Sequence, residues 1–133
     1  MPSECTGKFR STIAFFIEGG NPVEPVAKPD GVIEIKEDAS QVLRGWYTKD
    51  GETIELEDVA CDCVDEECTL TFTRPISDTP LKEVEYIGTV IDENFIFGHF
   101  LHHEEGGPTD GDTGLWGATR EGGPFKRRKK EEG

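Results

Sequence analysis

Residues 82–101 read KEVEYIGTVI, then DEN, then FIFGHFL. Two runs rich in β-branched and aromatic residues flank a short polar break, and that arrangement spells a β-hairpin. Asn94 is expected to take a positive φ in the turn. Side chains on a strand alternate between faces. In the first run Val84, Tyr86, Gly88 and Val90 therefore share a face; in the second, Phe95, Phe97, His99 and Leu101 share one and Ile96, Gly98 and Phe100 the other.

The same two-residue rhythm recurs along the chain. Residues 7–17 line up Phe9, Ser11, Ile13, Phe15 and Ile17; further runs cover 31–36, 42–48, 53–59, 68–74 and 113–120. No helical period competes. The segments between them carry turn chemistry: Gly19-Gly20-Asn21-Pro22, Asp50-Gly51, Pro75 to Pro80, and the glycine- and acid-rich residues 102–112. Hydrophobic residues make up only 34% and glycines number 16, which suits a thin core with many turns.

About eight short strands in sequence point to an all-β fold, an antiparallel up-and-down meander closed into a barrel, because closure removes sheet edges. A β-sandwich is the alternative. Residues 1–120 are read as one β-barrel domain. Residues 121–133 are read as a polar, basic tail that is expected to be disordered.

The chain carries 28 acidic against 14 basic residues, a formal charge of −14. Five of the basic residues form the run Lys126 to Lys130, so residues 1–120 hold 25 acidic and 9 basic side chains, a balance of −16. Such a body repels nucleic acid and anionic membranes and favours a basic protein surface as partner. The basic run reads as a solubilising tail, a phosphate-binding or import patch, or a partner for the acidic body. The start of the chain holds Glu4, Lys8 and Arg10, and its apolar run 13–17 is short for a leader, so a cytoplasmic location is expected.

Two tryptophans stand beside glycines, in Gly45-Trp46 and in Gly114-Leu115-Trp116-Gly117. With the meander, they resemble the avidin and lipocalin (calycin) barrels, which share a Gly-x-Trp element. Here that spacing is met at the last strand rather than the first. The resemblance is architectural and implies a barrel wall around a small ligand or a packed core. An eight-stranded barrel is just wide enough for either. Trp46, Tyr86, Phe97, His99 and Trp116 are the residues expected to line the interior or its mouth and to bind an apolar or aromatic ligand.

Cys61, Cys63 and Cys68 form C-x-C-x4-C beside Asp62, Asp65, Glu66 and Glu67. They read as small thiols, as a disulfide, or as zinc ligands completed by Cys5 or a histidine; no metal is expected as the leading reading. His99, with Glu85 or Glu104, would be the acid–base pair of an enzyme. Asp110-Gly111-Asp112 resembles a fragment of a calcium loop, although turn chemistry explains it equally. Phosphate cradles, nucleophile elbows and H-E-x-x-H are missing from the sequence, so no catalytic residue and no cofactor is assigned. The expected function is a non-enzymatic binding module that holds a small apolar or aromatic ligand or presents its acidic wall to a protein. An acidic assembly subunit and a metal- or histidine-dependent enzyme are the alternatives.

Overall fold

A computed structural model describes residues 5–121. Within them lie ten strands and no helix: β1 (Gly7–Glu18), β2 (Asn21–Pro22), β3 (Lys28–Glu37), β4 (Leu43–Lys49), β5 (Glu52–Glu55), β6 (Glu57–Val64), β7 (Glu67–Asp78), β8 (Leu81–Asp92), β9 (Phe95–Glu104) and β10 (Thr113–Arg120). They form one antiparallel sheet in the order β5-β4-β3-β1-β10-β9-β8-β7-β6, with the short β2 against β1. The all-β meander is therefore present. The tail from residue 122 onward, with its basic run, lies outside the described residues, whereas Glu121 is still tied to β1 by its N–H to the Lys8 carbonyl (2.8 Å) and by its carboxylate to Lys8 and Arg10.

The expected closure into a barrel is corrected. The ladder ends at β5 on one side and at β6 on the other, and the two divide between them the run 53–59, which alternation alone predicts as a single strand. Leu56 separates them, donating its N–H to the Gly45 carbonyl (2.7 Å). Two residues on, Asp58 has a φ of 52°, and the β6–β7 register slips between Glu57 and Ala60. An irregularity of this kind bends a strand and re-aims it. The first part of the run thus pairs with β4 and the second with β7, and neither part bridges both along its whole length.

The hairpin of β8 and β9 forms with Val90 opposite Ile96 and Gly88 opposite Gly98. Asn94 is not in the left-handed region, contrary to expectation; the turn is instead secured by the Asp92 carboxylate, which accepts the Asn94 N–H at 2.7 Å. By contrast Asp50 (φ 54°) and Gly51 (φ 81°) supply the two positive φ values that a two-residue type I′ turn needs. The segment from Pro75 to Asp78, expected as a loop, continues β7.

One face of the sheet builds the core. Phe9, Ile33, Ile35, Leu70, Phe72, Val84, Tyr86, Ile96, Phe100 and Trp116 are all at most 1% exposed. The Trp116 indole lies across Gly88, where an added Cβ would come within 2.3 Å of its ring. It meets Phe72 and Tyr86 edge-on at 5.5 and 5.3 Å. The interior at this level is filled by side chains.

Candidate functional site

The β3 strand enters the core at Asp30, whose side chain is 4% exposed. A buried carboxylate is costly unless donors surround it. Three hydroxyls do so here. Ser11 Oγ donates to Oδ2 at 2.9 Å, Tyr47 Oη to Oδ1 at 2.8 Å, and Tyr86 Oη to Oδ2 at 3.2 Å. Ser11 in turn accepts the Trp116 indole N–H at 2.8 Å. Strands β1, β3, β4, β8 and β10 are thus joined through one carboxylate.

Arg74, on β7, is the network's outer member. Its Nε donates to Tyr86 Oη at 3.2 Å, and its guanidinium lies over the Tyr47 ring at 4.6 Å from the centroid. Burial alone would pull the Arg74 pKa down, but Tyr86, Tyr47 and Asp30 more than offset it and hold the guanidinium charged. Burial, followed by the Asp30 charge, pushes the phenols of Tyr47 and Tyr86 well above the usual tyrosine value of 10.0. Both therefore stay protonated and remain donors to Asp30. Among the described residues the two Nη groups of Arg74 make no hydrogen bond.

Arg74 lines a cleft of about 270 Å³ between β5 and the end of β7, with Tyr47, Lys49, Asp50, Glu52, Ile54, Pro75 and Ile76 as its other walls. It lies where the sheet fails to close. The β6–β7 pairing stops at Thr73, so beyond it β7 pairs only with β8, and β5 pairs only with β4. Two strand edges with unpaired N–H and C=O groups consequently line the cleft, together with the Arg74 guanidinium, the apolar side chains of Ile54, Pro75 and Ile76, and the charged Lys49, Asp50 and Glu52. Such unpaired edges are ready to bond an incoming chain or ligand.

A second depression, of about 290 Å³, runs over the outer face of β9, β10 and β1, with Phe95, Phe97, Leu115 and Ala14 among its walls and Trp116 at its floor. Phe95 and Phe97 are 37% and 42% exposed. Ala14 and Gly117, being small, leave the room that this depression occupies.

The structure divides the five expected ligand-binding residues. Tyr86 and Trp116 lie inside and touch, but as packed core. Phe97 and His99 are corrected to the outer face, because the inward parity of β9 falls on Ile96 and Phe100. Trp46 also faces outward, between the cations of Lys36 and Arg44 at 6.0 and 5.6 Å. Phe97 lines the outer groove, beneath which the Trp116 indole stays buried in the core.

The acid–base pair is not formed. Glu85 Oε1 is matched with His103 Nε2 at 3.3 Å, and Glu104 accepts from the Thr109 N–H at 2.8 Å and from the Thr109 hydroxyl, which holds its pKa below the usual carboxylate value. His102 packs against the rings of Phe15 and Phe100; burial lowers its pKa, so it is neutral at pH 7, and its Nδ1 is buried without a partner. The Asp110–Asp112 segment is turn chemistry rather than a calcium loop. Asp112, 1% exposed, accepts the N–H groups of Gly19 and Gly20 at 2.8 and 3.1 Å, and Asp110 accepts that of Glu104 at 3.0 Å.

All four cysteines are paired, Cys5 with Cys61 and Cys63 with Cys68, which corrects the expectation of thiols and leaves Cys61, Cys63 and Cys68 without the thiolates a metal needs in this state. No helix among the described residues is long and apolar enough to cross a membrane.

Sequence reasoning passed over Asp30, Ser11, Tyr47 and Arg74. Two signals were present: Ser11 shares a strand face with Phe9 and Ile13, and Arg74 shares one with Leu70 and Phe72. Polar groups on an apolar face are the mark of a buried network. Asp30 gave no such signal, because the β1–β3 register shifts between Arg10 and Thr12 and breaks the parity that links it to Ile33. Comparison with protein-family models, with curated proteins and with solved structures gives no match.

Proposed function

We propose that this protein is a non-enzymatic binding module that holds a small ligand in the cleft between β5 and the end of β7. The observation that carries the reading is the coincidence of two unpaired strand edges with a guanidinium held in place by Tyr47 and Tyr86. Rigid support of a contact group from behind is what a binding site requires. Asp30 accepts three hydroxyls and is enclosed by them, so it serves as the anchor of the site rather than as a group that meets substrate. The ligand best matched to the walls has an apolar body, placed against Ile54 and Ile76, and a carboxylate that takes the two free Nη donors in a forked pair. Asp50 and Glu52 also line the cleft and are offset there by Lys49 and Arg74, while the rest of the net charge of −14 is distant and screened beyond about 8 Å at physiological salt.

The architectural resemblance to calycin barrels is in keeping with a ligand at one end of a meander. The pairing of all four cysteines supports an oxidising compartment over the cytoplasmic one expected from the sequence. The test is a titration of labelled protein with hexanoate and benzoate, followed by nuclear magnetic resonance, with benzamide as the neutral control. Saturable shifts at Ile54, Ile76 and the Arg74 side chain, lost in Arg74→Gln and weak with benzamide, are expected. Shifts confined to Phe97 and Leu115 would put the ligand in the outer groove and contradict this reading, as would binding unchanged in Arg74→Gln.

A further inference from the structure

The two disulfides are not separate features. Cys61 and Cys63 share a side of β6 with one residue between them, and Cys63 stands opposite Cys68 across the β6–β7 ladder. The Sγ atoms of Cys61, Cys63 and Cys68 all lie within 4.8 Å of one another, and Cys61 Sγ is 3.8 Å from Cys63 Sγ. Cys5 is bonded to Cys61 across a sequence separation of 56. Four sulfurs from three parts of the chain thus occupy one small volume, at the junction of the segment leading into β1 with the tip of the β6–β7 hairpin.

A zinc ion bound by four thiolates holds each sulfur at about 2.3 Å, which sets neighbouring sulfurs about 3.8 Å apart. The unbonded Cys61–Cys63 pair already has that spacing. We infer that this cluster is a redox-gated site for a thiophilic metal ion, zinc foremost: two disulfides under oxidising conditions, one tetrathiolate metal centre under reducing ones. Geometry favours a closed structural site, because Cys5 and Cys68 are 0% and 4% exposed while Cys63 is at the surface as the point of entry. Asp62, Asp65, Glu66 and Glu67 neighbour these cysteines in sequence, and their negative charge attracts a dication.

The chemistry balances with a dithiol as reductant. Attack of a dithiol thiolate on the exposed Cys63 sulfur opens the Cys63–Cys68 bond through a mixed disulfide; the second thiol of the reductant resolves it, leaving a cyclic disulfide and two protein thiols. A second dithiol does the same for Cys5–Cys61. In all, two S–S bonds accept four electrons and four protons. One Zn²⁺ then forms four Zn–S bonds and displaces four thiol protons, so binding strengthens as pH rises.

The experiment uses the full chain and Co²⁺ as a spectroscopic probe for zinc. Oxidised protein is expected to bind no cobalt at the cluster. After reduction by a dithiol and its removal under anaerobic conditions, one Co²⁺ per chain should give the intense visible absorption of tetrahedral thiolate ligation, and one Zn²⁺ should abolish it. Cys63→Ser and Cys61→Ser should each weaken binding by tenfold or more, since loss of a group that only supports a ligand already costs about 10- to 100-fold. If reduction unfolds the chain, one equivalent of metal should restore the β-sheet circular dichroism. Four titratable thiols with no such absorption overturn the inference. So do wild-type affinity in Cys63→Ser, or a reduced, unfolded chain that metal leaves unfolded.

Discussion

Asp30 is the residue on which the rest of the site turns. Without it, the hydroxyls of Ser11, Tyr47 and Tyr86 would lose their common acceptor, and the two tyrosines that hold Arg74 would lose their anchor. Each buried polar group left unpaired costs about 1–3 kcal/mol. Asp30→Ala is therefore expected to destabilise the protein by about 3–5 kcal/mol in urea denaturation, at the upper end for a single substitution. Ser11 and Trp116 belong to the same network, so losses there should not add to that figure. A cost under about 1 kcal/mol would mean that the hydroxyls find other partners and that Asp30 does not anchor the site.

At the scale of elements, alternation groups side chains by face correctly wherever strands run without interruption, although it does not say which face of β9 turns inward. The β8–β9 hairpin, the inward face of β7 and the Asp50-Gly51 turn all follow from alternation and turn chemistry. It failed at irregularities. The slip between Arg10 and Thr12 hid Asp30, and the break at Leu56 and Asp58 turned one expected strand into β5 and β6. The candidate site lies next to both breaks, so the irregular backbone that made it hard to read also made it. His99 and Phe97 were misplaced for a simpler reason: both faces of β9 are apolar enough to be core, and only the pairing with β8 and β10 chooses Ile96 and Phe100.

The β6–β7 turn yields a further expectation. It places Asp65 at φ 52° and Glu66 at φ 72°, a type I′ geometry with a long side chain where glycine is favoured. A left-handed residue with a Cβ costs about 1–2 kcal/mol, part of which the added freedom of glycine in the unfolded chain returns. Glu66→Gly should raise the urea midpoint, with a gain of up to about 1 kcal/mol and an unchanged denaturant slope. A lowered midpoint would show that the turn is not strained in this way.

For the molecule as a whole, the core is modest and the acidic surface repels itself, so cross-links matter. The Cys5–Cys61 bond closes a long loop around β1 to β6, and a link of that span is worth about 4 kcal/mol in the chain-entropy account. The Asp30 network is the second long-range tie, joining five strands from inside. It leads to a sharp expectation for alkaline pH. The chain has two tyrosines, Tyr47 and Tyr86, and both belong to this network. Their folded pKa values lie above the unfolded value near 10.0, so the stability they contribute is complete below that pH and is lost as pH rises toward the folded values.

A spectrophotometric titration of the phenols, run beside circular dichroism of the sheet, tests the anchored network most directly. The expected result is that neither tyrosine ionises in the folded protein near pH 10, and that both phenolates appear together as the sheet is lost. A phenol that titrates near pH 10 while the sheet remains intact would contradict the account.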